Sequence, residues 1–288
     1  MAEVGAPTVA VLITAAGRVG HLRRTLGGLS RQSRPPDEVV VVDLRPSGGD
    51  GSRPALPCAV QWVDHPPTVS AKSLPRASGR NLAAASSRAD HLVFLDVDCL
   101  PAPDLVERYL ATLRAHPDAL ACGPVRYLRE SWRSIVEAEA PSPAALDKAS
   151  DHHPDRPRLV SGQVVVANAD HDRFWSLSFG VTRAVWDSIG GFDAGFVGYG
   201  AEDTDLGRRA GSLGVSLAWF GGGTAYHQWH PPTRDDPDRL VEMIANAHRF
   251  RDRWGCWPMG GWFERLREQG LVRFDPARDV LEPVPVTP

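Results

Sequence analysis

Lysine is almost missing: Lys72 and Lys148 are its only occurrences in 288 residues, so arginine supplies nearly all the positive charge. A basic excess is missing too. The 32 Lys and Arg stand against 35 Asp and Glu, a net charge of −3, which argues against the phosphate-backbone neutralisation that a general nucleic-acid binder needs. Cysteine is sparse. Cys58, Cys99, Cys122 and Cys256 stand far apart with no C-x-x-C pair, so neither a zinc knuckle nor a dense disulfide framework is signalled, and a reducing, cytoplasmic setting is expected. No run approaches the ~18 apolar residues of a membrane-spanning helix. The opening MAEVGAPTVAVLITAAGRVG has an apolar run of strand length and no basic region before it, so no membrane anchor is expected. The run GRVG (17–20) follows that strand but lacks the G-x-G-x-x-G spacing of a dinucleotide loop, which argues against a nicotinamide or flavin enzyme.

What the chain does have is the alternation of an α/β protein. Its 27 glycines and 25 prolines are about 18% of the residues, below the ~25–30% of low-complexity chains. At ~100–200 residues per domain the length suits one large domain or two small ones sharing a site. Continuous apolar runs at 9–14, 38–43, 59–64 and 91–98 read as buried parallel strands. Helical patterns fall between them, with Leu22, Leu26 and Leu29 on one face and Val106, Tyr109, Leu110 and Leu113 on another. A Pro, Gly and Ser-rich loop is expected at 45–57, the end of a helix at 80–87, and a strand at 120–125. Residues 141–158 show little periodicity and read as a long mobile loop. Beyond it come short helix 182–189, helix 202–213, strand 216–220 and helix 237–254.

Three blocks carry chemistry. Asp96-Val97-Asp98 ends an apolar strand, and alternation puts both carboxylates on one side at the sheet edge where α/β proteins bind ligands. With no basic residue near in sequence, the pair calls for a cation, and hard oxygen ligands suit Mg²⁺ or Mn²⁺. In GYGAEDTDLGRRAGSLGV (198–215), Leu206, Ala210 and Leu213 define the buried helix face. Glu202 and Asp203 then look inward, while Asp205 points away into an i,i+4 surface pair with Arg209. In YHQWHPP (226–232), His227 or His230 completes a coordination sphere and tilts the preference to Mn²⁺; His227 is favoured. His152, His153 and His171 are expected to be solvated. Asp43 ends the second strand where a ribose or base contact would lie. Tyr199 and Trp229 offer flat faces on which a sugar ring could stack.

FLDVDCLP, VWDSIGGFDAGFVGYGAEDTDL and the following histidines resemble the GT-A fold glycosyltransferases of family 2. The C-terminal half looks like the β-1,4-galactosyltransferase type, and the likeness covers roughly residues 8–232. It implies a mixed, mostly parallel central sheet flanked by helices. A nucleotide-sugar-binding half at 1–125 joins an acceptor-binding and catalytic half at 126–232, and 233–288 form a helical extension and tail. It also implies a metal-held nucleotide-diphosphate sugar, with UDP expected, attacked with inversion by a hydroxyl of a small-molecule, natural-product or glycan acceptor. Carried over by residue, Asp98 ligates Mn²⁺ or Mg²⁺ with His227 or His230, and Asp96 contacts the ribose or the metal's shell. Ala10–Thr14, Asp43 and Arg80 lie on the nucleotide side, Asp203 is the base, and Glu202 orients the acceptor. One departure concerns specificity: Tyr199 stands where the galactosyltransferase type commonly has Trp, which leaves the chemistry and alters the shape offered to the sugar. Two other readings of the same fold are a sugar nucleotidyltransferase, which AAGRVG is too poor in glycine and lysine to favour, and a non-catalytic carbohydrate-binding descendant, which would have lost the acids that this chain keeps.

Overall fold

A computed structural model describes residues 6–45, 59–67, 73–132, 141–231 and 237–284. Cys58, Lys72 and nearly all of the loop expected at 45–57 lie outside them. Strands β1 (Val9–Ala15), β2 (Glu38–Asp43), β3 (Gln61–Asp64) and β4 (His91–Leu95) are the apolar runs of the sequence. Strands β1, β2, β3 and β4 pair in parallel, and this sheet extends through β10 (Ser178–Thr182), β6 (Ala119–Cys122), β11 (Ser216–Phe220) and β9 (Val164–Ala167) in the order β3-β2-β1-β4-β10-β6-β11-β9. Strand β10 is antiparallel to both neighbours, which makes the sheet mixed.

The continuous apolar runs arise because both faces are covered. Ala10, Leu12, Val40, Val42, Leu92 and Phe94 pack into one core, while Val9, Val11, Ile13, Val39, Val41, Val93 and Leu95 pack into the other, the period-2 split a strand imposes. Helices α1 (Val19–Leu29) and α3 (Leu105–Ala115) close the second face. Helices α2 (Arg76–Ala85), α5 (Arg183–Ile189) and α6 (Glu202–Ser212) close the first. Connections leave β1 toward β2 on one side and return to β4 on the other. The carboxyl ends of β1 and β4 therefore flank a switch point, the place where such sheets open a ligand crevice.

A smaller sheet begins just after Asp98, in the order β5 (Cys99–Pro101), β12 (Ala225–His227), β7 (Val125–Leu128), β8 (Ser150–His152). Strand β8 and the helix before it stand where a long loop is expected at 141–158. Ser142 caps helix α4 (Pro143–Lys148) by accepting from the Ala145 amide, with Pro143 in the first turn, and the chain then pairs antiparallel with β7. A helix this short offers too few turns for apolar periodicity to register. His153 is buried rather than solvated, ringed by Tyr127 and Trp175.

At the C-terminus, α7 (Pro237–Trp254), α8 (Gly260–Glu268) and the hairpin β13 (Val272–Asp275) and β14 (Val280–Pro283) form their own core around Met243, Ile244, Phe263 and Leu281. The end of α7 reverses another expectation. Asp205 is fully buried, not a surface residue: its carboxylate accepts from Arg209 Nε at 2.8 Å, Arg253 Nη1 at 2.7 Å and Trp254 Nε1 at 3.0 Å. Leu213, assigned to the buried face, is 57% exposed. Helix α7 covers the side of α6 that local periodicity assigns to water.

Candidate active site

Strand β4 stops at Leu95, and the Cys99 amide donates to the Asp96 carbonyl at 2.9 Å. The chain thus turns over Asp96–Asp98, and strand alternation no longer applies. The two carboxylates go to different partners, and neither lacks a cation, which corrects the expectation of an unpaired pair. Asp96 Oδ1 accepts from Arg80 Nη2 at 3.1 Å, and Glu202 Oε1 accepts from Arg80 Nη1 at 3.2 Å. Arg80 itself is buried, with its guanidinium over the Phe192 ring at 5.1 Å. Burial pulls its proton affinity down, but Asp96 and Glu202 outweigh this and raise it. Asp96 is pushed up by burial, opposed by Arg80 and reinforced by Asp98.

Asp98 is buried at the head of the smaller sheet and forms an ion pair with Arg18. His227 Nε2 and His230 Nε2 each lie 3.7 Å from one of its carboxylate oxygens. Both histidines flank Asp98 at the same distance. The ligand-capable atoms of Asp98, His227 and His230 all fall within 4.8 Å of one another. His230 Nδ1 lies 3.0 Å from the Pro231 carbonyl. A carbonyl only accepts, so Nδ1 carries the hydrogen and the Nε2 lone pair faces Asp98, the tautomer a metal ligand requires. One carboxylate and two imidazoles fit Mn²⁺ better than Mg²⁺. Arg18 sits in the left-handed region at φ 54° and shares Asp98 with any cation held there. His21 is adjacent, its ring 6.4 Å from that of His230, its Nε2 without a hydrogen-bond partner, and its pKa lowered chiefly by burial.

The glycine turn delivers the second acid pair. Gly198 and Gly200 have φ of +85° and +101°, and a Cβ on Gly198 would lie 2.3 Å from the Glu242 carboxyl. Ala201, at φ 69°, enters α6 in a conformation unusual for a residue with a side chain. Glu202 is buried on Arg80. Asp203 accepts from the Thr204 amide at 2.8 Å and the Ser176 amide at 3.4 Å. Burial and the neighbouring Glu202 push its carboxyl up to about 7, with Arg80 pulling the other way. A carboxylate so tuned takes a proton near neutral pH.

The other expected residues fall around this centre. Asp43, at the end of β2 beside Ala15 of β1, is half-buried and accepts from the Arg45 amide at 2.9 Å; Thr14 is half-buried on β1. Trp229 packs against the cluster of Leu100, Trp132 and Tyr226. Tyr199 is 40% exposed, with the guanidinium carbons of Arg76 and Arg239 at 5.7 and 5.6 Å from its ring centre. Sequence reasoning passed over Arg18, His21, Arg76, Tyr127 and Arg239. Arg18 lies in the GRVG run, read only against the dinucleotide loop and the phosphate loop of a nucleotidyltransferase. Tyr127 pairs with His227 across β7 and β12, their rings 5.1 Å apart, a relation set by strand register alone.

The model for "Glycosyl transferase family 2" matches residues 10–164, and that for "N-terminal domain of galactosyltransferase" matches residues 163–231. The chain belongs to glycosyl transferase family 2. A validoxylamine A glucosyltransferase of Streptomyces hygroscopicus subsp. limoneus is 30% identical over 267 residues, covering 85% of this chain and 56% of the relative. A chondroitin synthase of Pasteurella multocida is 26% identical over 261 residues, covering 80% of this chain and 26% of the relative. The chain thus spans little more than half the length of the first of these relatives. Among solved structures, GalNAc-T7 with UDP, GalNAc and Mn²⁺ superposes with a TM-score of 0.60 at 14% identity, over 96% of this chain and 53% of that one. S. aureus TarS 1–349 in complex with UDP gives 0.52 at 13% identity, over 85% and 65%. These likenesses establish the GT-A fold.

Proposed function

We propose that this family 2 chain transfers a hexose, with inversion, from a UDP-linked donor to a hydroxyl of a small-molecule acceptor, and that the transfer depends on Mn²⁺. The observation that carries the reading is the joining of two acid pairs by one buried arginine: Arg80 holds Asp96 on the donor side and Glu202 beside Asp203. Residues 1–125 hold the donor, with Thr14, Asp43 and Asp96 toward the nucleoside, and 126–232 hold the acceptor. UDP in one solved relative, and UDP with Mn²⁺ in another, support the donor and metal; the name of the Streptomyces relative supports glucose and a small acceptor.

Asp98, His227 and His230 would hold the cation, whose charge offsets that building on the departing diphosphate. Asp203 takes the acceptor hydroxyl's proton as that oxygen bonds to the anomeric carbon and the bond to the diphosphate breaks. A base tuned to about 7 suits this, because the hydroxyl becomes acidic only as the new bond forms. Glu202, fixed by Arg80, orients the acceptor, and Tyr199 and Trp229 supply apolar faces near it. The test is UDP-glucose turnover across small hydroxyl-bearing acceptors, validoxylamine A and phosphate- or carboxylate-bearing sugars among them, with UDP binding measured with and without Mn²⁺. UDP binding indifferent to both Mn²⁺ and Asp98→Ala would refute the metal role, and turnover retained in Asp203→Asn would refute the base.

A further inference from the structure

Two arginines at the Tyr199 side of the cleft have no carboxylate in an ion pair among the described residues. Elsewhere Arg80, Arg208, Arg209, Arg249 and Arg253 each hold an acid in an ion pair. The side chain of Arg76, the first residue of α2, gives one hydrogen bond among the described residues, from Nη1 to the Gly198 carbonyl at 2.7 Å. Arg239, from the first turn of α7, approaches the same Tyr199 ring. Among the described residues neither has an acid within ion-pair reach. Glu242 lies against Gly198 and engages neither arginine. Like charges converging at a half-buried ring repel unless an anion joins them. Burial lowers the proton affinity of Arg76, Glu202 partly restores it, and Arg80 and Arg239 lower it further. The start of α2, which no side chain caps, adds its partial positive charge.

Tyr199 precedes Glu202 by three residues, and Glu202 raises the proton affinity of Arg76, so this cationic pair lies beside the acid pair. We infer that Arg76 and Arg239 form an oxyanion subsite for a phosphate or carboxylate substituent carried by the acceptor. That the ligand is the acceptor rests on the glycosyl-transfer reading; that an anion binds there does not.

The test is calorimetric titration of the EDTA-treated full chain at constant ionic strength, with inorganic phosphate and with acetate. Wild type is compared with Arg76→Gln, Arg239→Gln, their combination, and Arg18→Gln as a control for the arginine paired with Asp98. Saturable phosphate binding is expected, weakened about tenfold by each single change, the loss of one charge-assisted bond, and unaltered by Arg18→Gln. Acetate binding with the same dependence would assign the subsite to carboxylates as well as phosphates; acetate inert beside binding phosphate would assign it to phosphates. No phosphate binding by wild type, or equal binding by the double variant, overturns the subsite. In a second arm UDP is titrated with Mn²⁺. Affinity unchanged within about twofold in the double variant supports an acceptor site, and a tenfold fall reassigns the arginines to the donor diphosphate. If wild type binds no UDP, the glycosyl-transfer reading fails while the phosphate result stands by itself.

Discussion

Asp203→Asn separates a catalytic carboxylate from a structural one, because its effects on rate and on stability should have opposite signs. Burial beside Glu202 raises the folded-state pKa from 3.8 to about 7. The stability associated with the protonated form is therefore complete below about pH 4 and is lost as pH rises through 7. At 1.36 kcal/mol per unit, and allowing for water reaching the cleft, holding the charge at pH 8 costs on the order of 2–4 kcal/mol. Asparagine removes that cost and gives up at most the 3.4 Å bond from the Ser176 amide, about 1 kcal/mol. Differential scanning calorimetry should then show the variant melting a few degrees higher than wild type at pH 8, at about 2 °C per kcal/mol for a chain of this size, and no higher at pH 4. Transfer by wild type should fall with acid, since at pH 6 about a tenth and at pH 5 about a hundredth of Asp203 is ionised. The variant should be inactive throughout while still binding UDP. A variant less stable at pH 8, or a wild-type rate profile with its acid limb near pH 4, would show that Asp203 is an ordinary carboxylate.

Changes at four further residues have expected outcomes. Arg80→Ala leaves Asp96 and Glu202 without their shared cation and should cost about 3–5 kcal/mol in urea unfolding; Arg80→Lys should recover only part, because one ammonium cannot replace the two-pronged contact. Asp205→Ala strips the buried acceptor from Arg209, Arg253 and Trp254 and should cost a similar amount, read as earlier proteolysis of α7 and α8. His230→Ala should abolish the Mn²⁺ enhancement of UDP affinity, whereas Arg18→Ala, by freeing Asp98, should tighten Mn²⁺ binding measured by calorimetry without nucleotide.

The sequence by itself determined the layered α/β architecture, because strands buried on both faces must be apolar at every position and Val9–Ala15, Glu38–Asp43 and His91–Leu95 are nearly so. It also singled out Asp96, Asp98, Glu202 and Asp203 as candidates, since they stand at the ends of elements where sheets and helices open to ligands. What only tertiary structure decided is which charge answers which. Arg80 and Glu202 are 122 residues apart, and Asp205 is held by residues 48 and 49 positions away. Periodicity reports a helix's own apolar stripe and nothing of a second helix laid over its polar side, so Asp205 read as solvated and Leu213 as buried. Helix α4 and strand β8 were hidden for a related reason: six and three residues carry too little pattern, and their order comes from the Ser142 cap and the edge of β7. Local chemistry marked the acids, and long-range packing supplied their cations.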